Sequence, residues 1–165
     1  MSTFDLFLVP TASQYKQYDK IINSLAKKYD TPSFPHITLL SMVEAEEKDL
    51  VAKVKNITKS FNKIEVKIFG MNFTNTTNQC VFAQIKMSLQ LLNLFKELET
   101  NLVPSNKIPF FPHMSFVYGD YSPEEKSTIA EQVKVDKKLL LDKVVIYRYG
   151  PLPSDWQHVA DFKLN

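Results

Sequence analysis

Two segments of the chain repeat one short pattern, and this repeat constrains the fold more than any other feature. The first segment, 33–40, reads SFPHITLL, and the second, 111–118, reads FPHMSFVY. In both, a histidine follows Phe-Pro, and a hydroxyl residue stands two positions after the histidine. The chain has three histidines, so two of them in one context indicate a pair with a shared role. His158 lies outside the pattern, and we expect it to be structural or on the surface.

Each motif is expected to form a β-strand that presents its polar residues on one face. Side chains two positions apart in a strand point the same way. His36 and Thr38 would therefore share a face, and so would His113 and Ser115. If the two strands lie side by side, two imidazoles and two hydroxyls line one polar cleft above an apolar floor.

The motifs lie in two similar halves of the chain. In each half a short apolar strand is followed by an amphipathic helix, a loop with prolines, the Pro-His strand and a second helix. The histidines, at 36 and 113, are 77 positions apart, and the strands that open the halves have nearly the same offset. We therefore predict a single domain over 1–165 with pseudo-repeat halves of roughly 1–75 and 76–165. The fold class would be α+β: a bilobal, pseudo-twofold duplicated fold with two antiparallel sheets, flanking helices and a central cleft.

Hydrophobic periodicity and turn residues predict the individual elements. Strands are expected over 4–9, 36–43, 63–73, 79–86, 113–118, 139–149 and 159–164. Helices are expected over 14–29, 44–60, 88–102 and from Ser122 to about Val133. The last helix has a clear start, since Ser122 can cap it, Pro123 suits its first position and Glu125 completes a capping box.

Composition limits the possible partners. The 165 residues are 44% hydrophobic and 23% charged, which is typical of a soluble globular domain. The formal net charge is +2, and Arg148 is the only arginine. Proteins that hold long nucleic acid through its phosphates are usually more basic and richer in arginine. We expect a monomer that binds a small anionic molecule rather than long nucleic acid.

Cysteine content and apolar runs indicate the compartment. Cys80 is the single cysteine, which excludes an internal disulfide and a multi-cysteine zinc site, and we expect it in the core. No apolar run approaches the roughly 18 residues of a membrane helix, and the N-terminus lacks the basic segment of a signal peptide. These features predict a cytoplasmic protein without a membrane partner.

Two opposed imidazoles suit in-line displacement at phosphorus. The unperturbed imidazole pKa is about 6.5, so near neutral pH one ring can act as a base while the other acts as an acid. Each proton transfer typically contributes about 10²–10⁴ in rate. The Thr38 and Ser115 hydroxyls can donate to the non-bridging phosphate oxygens. Neither motif offers a carboxylate for a metal ion, which favours catalysis without a metal or another cofactor.

The paired motifs resemble those of the two-histidine phosphoesterase superfamily. Within it, the chain is most similar to the cyclic phosphodiesterases of the fungal and plant type, through LFLVP near the N-terminus, both motifs and a C-terminal Gly-then-Trp stretch. The resemblance covers essentially the whole chain. It implies metal-independent hydrolysis of ADP-ribose 1″,2″-cyclic phosphate to ADP-ribose 1″-phosphate, a step in the metabolism of tRNA-splicing by-products. It also implies opening of nucleoside 2′,3′-cyclic phosphates to 2′-phosphates.

The resemblance also implies roles for individual residues. His36 and His113 carry over as the acid/base pair, and Thr38 and Ser115 as phosphate-binding residues. Tyr118 matches a tyrosine that contacts substrate in related enzymes. Tyr118 is five positions after His113, so in a regular strand its side chain would point to the opposite face. The strand must therefore twist or end before Tyr118 for this side chain to reach the cleft. Which histidine is base and which is acid stays open, because the duplication makes the halves nearly interchangeable.

Three alternatives remain at this point. The chain could be an RNA-processing phosphodiesterase or ligase of the same superfamily, although its near-neutral charge disfavours an RNA track. It could be a non-catalytic module that binds nucleotide phosphates through the same four residues. The third alternative is a metal site built from His36 and His113.

Overall fold

The computed structural model describes residues 1–105, 108–152 and 155–165. These residues form seven β-strands, four α-helices and one short 3-10 helix. In chain order the elements are β1 (Ser2–Pro10), α1 (Ala12–Leu25), β2 (Ile37–Ala45), α2 (Glu47–Thr58), β3 (Ile64–Phe73), the 3-10 helix (Thr77–Gln79), β4 (Val81–Ile85), α3 (Leu89–Leu102), β5 (His113–Val117), α4 (Pro123–Gln132), β6 (Lys138–Arg148) and β7 (Gln157–Lys163). Every strand and helix that the sequence predicts is found, and the fold class is α+β as expected.

Antiparallel pairing links the strands in the order β2-β1-β6-β3-β4-β5, with β7 added on β6. β3 belongs to two sheets, because its first residues pair with β6 and its later residues pair with β4. Close to where β3 changes its partner from β6 to β4, its pairing has a register shift between Ile68 and Gly70, and Gly70 has a φ of 144°. Residues with a side chain rarely adopt this conformation, so glycine permits the bend. The two sheets form the two lobes that the sequence predicts.

The two motif strands, β2 and β5, lie at opposite ends of this strand order and yet contact each other. The Tyr118 amide donates to the Asp30 carbonyl at 2.8 Å, which ties the end of β5 to the loop before β2. The Ser105 hydroxyl donates to the Met42 carbonyl at 2.7 Å and ties the loop before β5 to β2. The sheets therefore curl toward each other, and the motif strands face a common cleft.

Alternation along the strands separates the cleft face from the core face. In β1, Leu6 and Leu8 belong to the main core beneath the helices, whereas Phe7 belongs to a second, smaller cluster. In β5, Met114 and Phe116 are fully buried in the main core. The histidine and hydroxyl positions that alternate with them consequently lie on the face away from the helices.

Local hydrogen bonding sets the helix ends. α4 starts as predicted, with Pro123 as its first residue and the Ser122 hydroxyl accepting from the Glu125 amide at 3.2 Å. α1 ends at Leu25, earlier than predicted. The chain tightens there into a turn in which the Lys28 amide donates to the Leu25 carbonyl at 2.9 Å.

The C-terminal strands join the lobe built by the N-terminal ones. β6 comes from the second half of the chain but pairs with both β1 and β3. This lobe therefore carries two strands, β6 and β7, beyond the pair that contains its motif. The boundary between pseudo-repeat halves near residue 75 stays a prediction, and the strand pairing crosses it.

Three expectations from composition and pattern can be compared with the structure. Cys80 is fully buried in the main core, as expected. His158 is exposed on β7, where its Nε2 lies 2.6 Å from an oxygen of Asp161. Within the described parts of the chain, no helix has the length and apolar character needed to cross a membrane.

Candidate active site

Each motif histidine is held by the backbone of its own loop. His36 directly precedes β2, and its Nδ1 lies 2.8 Å from the Phe34 carbonyl oxygen. His113 is the first residue of β5, and its Nδ1 lies 2.8 Å from the Phe111 carbonyl oxygen. Because a carbonyl oxygen can only accept, Nδ1 carries the hydrogen in both rings. Nε2 is then the nitrogen with a free lone pair in both neutral rings.

The two hydroxyls also occupy matching places. Thr38 on β2 lies opposite Phe7 of β1, and Ser115 on β5 lies opposite Phe82 of β4. The two phenylalanines, at 7 and 82, are 75 positions apart, close to the offset of the histidines. The same pair of strands is therefore built twice, once in each lobe.

His36 is the more buried histidine of the pair. It is 8% exposed, and its ring centroid lies 4.4 Å from that of Phe7 and 4.7 Å from that of Phe34. The pKa of His36 is lowered from 6.5 to about 4, mainly by loss of hydration; the Phe34 carbonyl opposes this shift, and the charge of His113 adds to it. β2 and β5 contact each other, so the fold brings the two motifs together. At neutral pH, His36 is uncharged and able to accept a proton.

His113 is partly exposed and lies beside two aromatic rings. Its ring centroid is 5.4 Å from that of Phe82 and 5.6 Å from that of Phe111. Burial lowers the pKa of His113, and the hydrogen bond to the Phe111 carbonyl opposes this shift. Solvent reaches this ring more easily than it reaches His36, so His113 is the better placed of the two to take up a proton.

The two hydroxyls differ in their hydrogen bonds. The Ser115 hydroxyl is buried and donates to the Asn78 carbonyl at 3.0 Å. Thr38 is half-buried, and its hydroxyl has no hydrogen-bond partner within residues 1–105, 108–152 and 155–165. A ligand can therefore engage the Thr38 hydroxyl directly, whereas Ser115 must first release a carbonyl.

Tyr118 reaches the second motif. β5 ends at Val117, so the alternation of the strand does not dictate the direction of the Tyr118 side chain. Burial raises the pKa of Tyr118 to about 12, and a hydrogen bond with the Ser115 side chain acts against this shift. The phenol thus lies beside Ser115 and stays protonated at neutral pH, which makes it a hydrogen-bond donor.

A buried lysine supports the loop behind Ser115. Lys126 of α4 is 2% exposed, and its Nζ donates to the Thr74 carbonyl at 3.0 Å. The loop that begins at Thr74 continues to Asn78, whose carbonyl accepts from Ser115. Lys126 therefore holds the backbone on which the Ser115 hydroxyl rests. The sequence offered no signal for this role, because a lysine on an amphipathic helix ordinarily faces solvent.

Sequence reasoning also missed the aromatic cluster around His36. The Tyr147 ring stacks on Phe34 with centroids 5.1 Å apart, and the Trp156 ring stacks on Phe7 with centroids 5.7 Å apart. Tyr147 lies on β6 and Trp156 directly precedes β7. Their distance along the chain from the motif hides this contact from any local pattern.

The described side chains can be compared with the alternative of a metal site at His36 and His113. In the part of the chain that the structure describes, no group of three or more histidine, cysteine, aspartate or glutamate side chains could hold a metal ion. A surface concavity of about 770 Å³ is lined by residues of β3, α4 and the segment after α4, and the motif residues lie elsewhere. The histidine pair is therefore the chemically distinctive feature of the cleft.

Two neighbouring imidazoles with free Nε2 atoms can move protons on both sides of a phosphate, and a hydroxyl stands two residues after each one. In a bilobal antiparallel fold, this arrangement defines a two-histidine phosphoesterase. The family described as cyclic phosphodiesterase-like protein matches residues 1–146. The chain belongs to this family.

Three known proteins resemble the chain over nearly its whole length. A candidate phosphoesterase of Staphylococcus haemolyticus is 26% identical over 168 residues, which cover 96% of this chain and 97% of that protein. The structure of TT0787 from Thermus thermophilus has a TM-score of 0.69 at 14% identity, covering 98% of this chain and 97% of that one. Escherichia coli LigT, solved with 3′-AMP, has a TM-score of 0.65 at 14% identity, covering 99% and 98%. The two solved structures share the fold.

Proposed function

We propose that the protein is a metal-independent cyclic phosphodiesterase of the cytoplasm. Its substrates are ADP-ribose 1″,2″-cyclic phosphate, opened to ADP-ribose 1″-phosphate, and nucleoside 2′,3′-cyclic phosphates, opened to 2′-phosphates. Membership of the cyclic phosphodiesterase-like family supports a cyclic phosphodiester as substrate. E. coli LigT has been solved with 3′-AMP, NADP⁺ and ATP, which supports a small nucleotide in this cleft.

The observation that carries the proposal is the unequal burial of two histidines whose Nε2 atoms are both free. His36 is buried, and its pKa is lowered to about 4, so it is neutral near pH 7. His113 is partly exposed and can exchange protons with solvent. This difference favours His36 as the base and His113 as the acid, and the sequence motifs alone do not contain it.

In the proposed reaction, His36 is the base and His113 is the acid. His36 Nε2 takes a proton from water as the water oxygen bonds to phosphorus. The bond between phosphorus and one ring oxygen, O3′ in a nucleoside 2′,3′-cyclic phosphate, breaks on the opposite side. His113 Nε2 gives its proton to that oxygen, and solvent then restores both rings.

Three side chains bind the non-bridging oxygens in this proposal. Thr38 donates from its free hydroxyl, and Tyr118 donates from its protonated phenol. Ser115 contributes after its hydrogen turns away from the Asn78 carbonyl. Hydrogen bonds to a charged group contribute roughly 1.5–3 kcal/mol each, and we expect Thr38 to contribute more than Ser115 because it gives up no other bond.

The proposal is tested by ³¹P NMR of the purified protein with each cyclic phosphate and an excess of chelator. Wild type should convert the ring signal to a phosphomonoester, and the His36→Ala, His113→Ala double variant should not. His158→Ala removes an exposed histidine outside the motifs and is the matched control. Binding without ring opening would favour a non-catalytic module, and activity lost with chelator would favour a metal site.

A further inference from the structure

The two lobes differ in how they cover equivalent phenylalanines. Phe34 and Phe111 each stand two residues before a motif histidine and hold it through the backbone carbonyl. Phe34 is 6% exposed, and Tyr147 stacks against its ring. Phe111 is 41% exposed. The fold therefore leaves open, beside His113, an aromatic surface that it closes beside His36.

The open ring of Phe111 is nevertheless held in place. Its centroid lies 5.6 Å from that of His113 with an interplanar angle of 29°, so the two rings are stacked. The centroid of the Phe82 ring lies 5.8 Å from that of Phe111 with an interplanar angle of 84°, which is an edge-on contact. A fixed ring with solvent on its remaining surface favours a second flat apolar group, because covering it removes apolar area from water.

We infer that Phe111 is the platform on which the base of a nucleoside 2′,3′-cyclic phosphate stacks. This inference rests on the proposed function, since it places the reacting phosphate at His113 Nε2. In this substrate the base is attached to the sugar that carries the cyclic phosphate. A phosphate beside the His113 ring therefore brings the base within one sugar of the Phe111 ring. Stacking tolerates every base, so purines and pyrimidines are both accepted.

The state of the single arginine favours this substrate class over ADP-ribose 1″,2″-cyclic phosphate. Arg148 forms an ion pair with Glu47 of α2 and donates to the Gln157 side chain at 3.1 Å. Its guanidinium is thus engaged on the N-terminal lobe, and a pyrophosphate would have to displace these partners to be clamped by it. The reacting ribose of ADP-ribose also carries no base beside its cyclic phosphate, so that substrate gains nothing directly from Phe111.

The test compares two substrates with the same five-membered cyclic phosphate, one with a base and one without. Adenosine 2′,3′-cyclic phosphate and glycerol 1,2-cyclic phosphate are assayed with wild type, Phe111→Ala and Phe111→Tyr. Phe111→Ala should lower the ratio of the two kcat/KM values about tenfold, mainly through the KM for the adenosine substrate. Phe111→Tyr keeps a flat ring and should preserve the ratio. Leu89→Ala removes an exposed apolar side chain at the start of α3 and is the control.

Each outcome decides between the platform and the proposed function. An equal loss on both substrates means that the ring only supports His113, and it overturns the platform alone. If Phe111→Ala leaves kcat/KM unchanged for both substrates, the platform is overturned as well. If wild type hydrolyses neither cyclic phosphate, the proposed function fails and the platform fails with it. Urea unfolding of Phe111→Ala shows whether a general loss comes from a damaged fold.

Discussion

His36→Asn should remove most of the acid sensitivity of folding that this buried ring causes. The amide nitrogen of asparagine can lie near the position of Nδ1 and keep the hydrogen bond to the Phe34 carbonyl, which accepts from His36 at 2.8 Å. Asparagine does not titrate. The variant therefore separates the charge of the ring from its hydrogen bond, which removal of the whole side chain would not do.

The size and sign of the effect follow from the two pKa values of the ring. The pKa is 6.5 for the ordinary group and about 4 in the folded protein. Between these values the unfolded chain binds more protons, so the wild-type free energy of unfolding rises with pH and falls on acidification. One pKa unit corresponds to about 1.4 kcal/mol, so moving from about pH 7 to about pH 4 should remove about 3 kcal/mol from the wild type through His36.

Other groups titrate in the same range and have to be subtracted. Burial raises the pKa of Asp5, so protonation of that carboxyl favours the folded state in acid, opposite in sign to His36. Wild type and variant share Asp5 and every other carboxylate. The difference between their unfolding free energies at each pH therefore isolates the contribution of His36.

Urea unfolding followed by circular dichroism between about pH 4 and about pH 7 measures this difference. His113→Asn is the matched control, and its effect should have the same sign and a smaller size, because His113 is partly exposed. A difference between wild type and His36→Asn that does not change with pH would refute the reasoning. It would mean that His36 titrates alike in the folded and unfolded protein, and the basis for assigning it as the base would be lost.

Three further predictions concern the site and its support. Because His36 must be neutral and His113 protonated, kcat/KM for adenosine 2′,3′-cyclic phosphate should fall from about pH 5.5 to about pH 8, and a steady rise would contradict this assignment. Thr38→Val should lower kcat/KM by about tenfold or more, and by more than Ser115→Ala does, in steady-state assays of both variants. Lys126→Met leaves the Thr74 carbonyl without its donor, so it should cost about 1–3 kcal/mol in urea unfolding and raise KM, whereas an unchanged KM would rule out support for Ser115.

The parts of the fold that could be predicted from the sequence are those with a local cause. The Ser122, Pro123 and Glu125 spacing defines the start of α4 because the capping bond is made within one turn. Side chains alternate between the two faces of a strand, so Thr38 lies on the same face as His36, and Ser115 on the same face as His113. The repeat itself predicts that two such strands meet, since each half has the same order of elements.

The parts that could not be predicted depend on pairing between distant segments. Nothing local indicates that β6 inserts between β1 and β3, because any apolar strand can pair at a free edge. The same holds for Lys126, whose amphipathic helix predicts exposure but whose Nζ reaches a loop more than fifty residues earlier in the chain. The half-exposed Phe111 and the buried Phe34 both directly precede Pro-His, so this shared pattern does not predict their difference in exposure, which depends on the assembled fold.

This difference in the assembled fold distinguishes two histidines that the duplication alone would leave equivalent. Two equal halves would give two equal histidines, and neither would be favoured as base. β6 and the segment before β7 add Tyr147 and Trp156 to the N-terminal lobe, where they stack on Phe34 and Phe7, the two rings nearest His36. This cover keeps water from His36 and lowers its pKa, while the ring beside His113 stays open to solvent. In the proposed mechanism, the strands that break the symmetry of the repeat thus favour the base in one lobe and leave the other lobe for the acid and the proposed stacking platform.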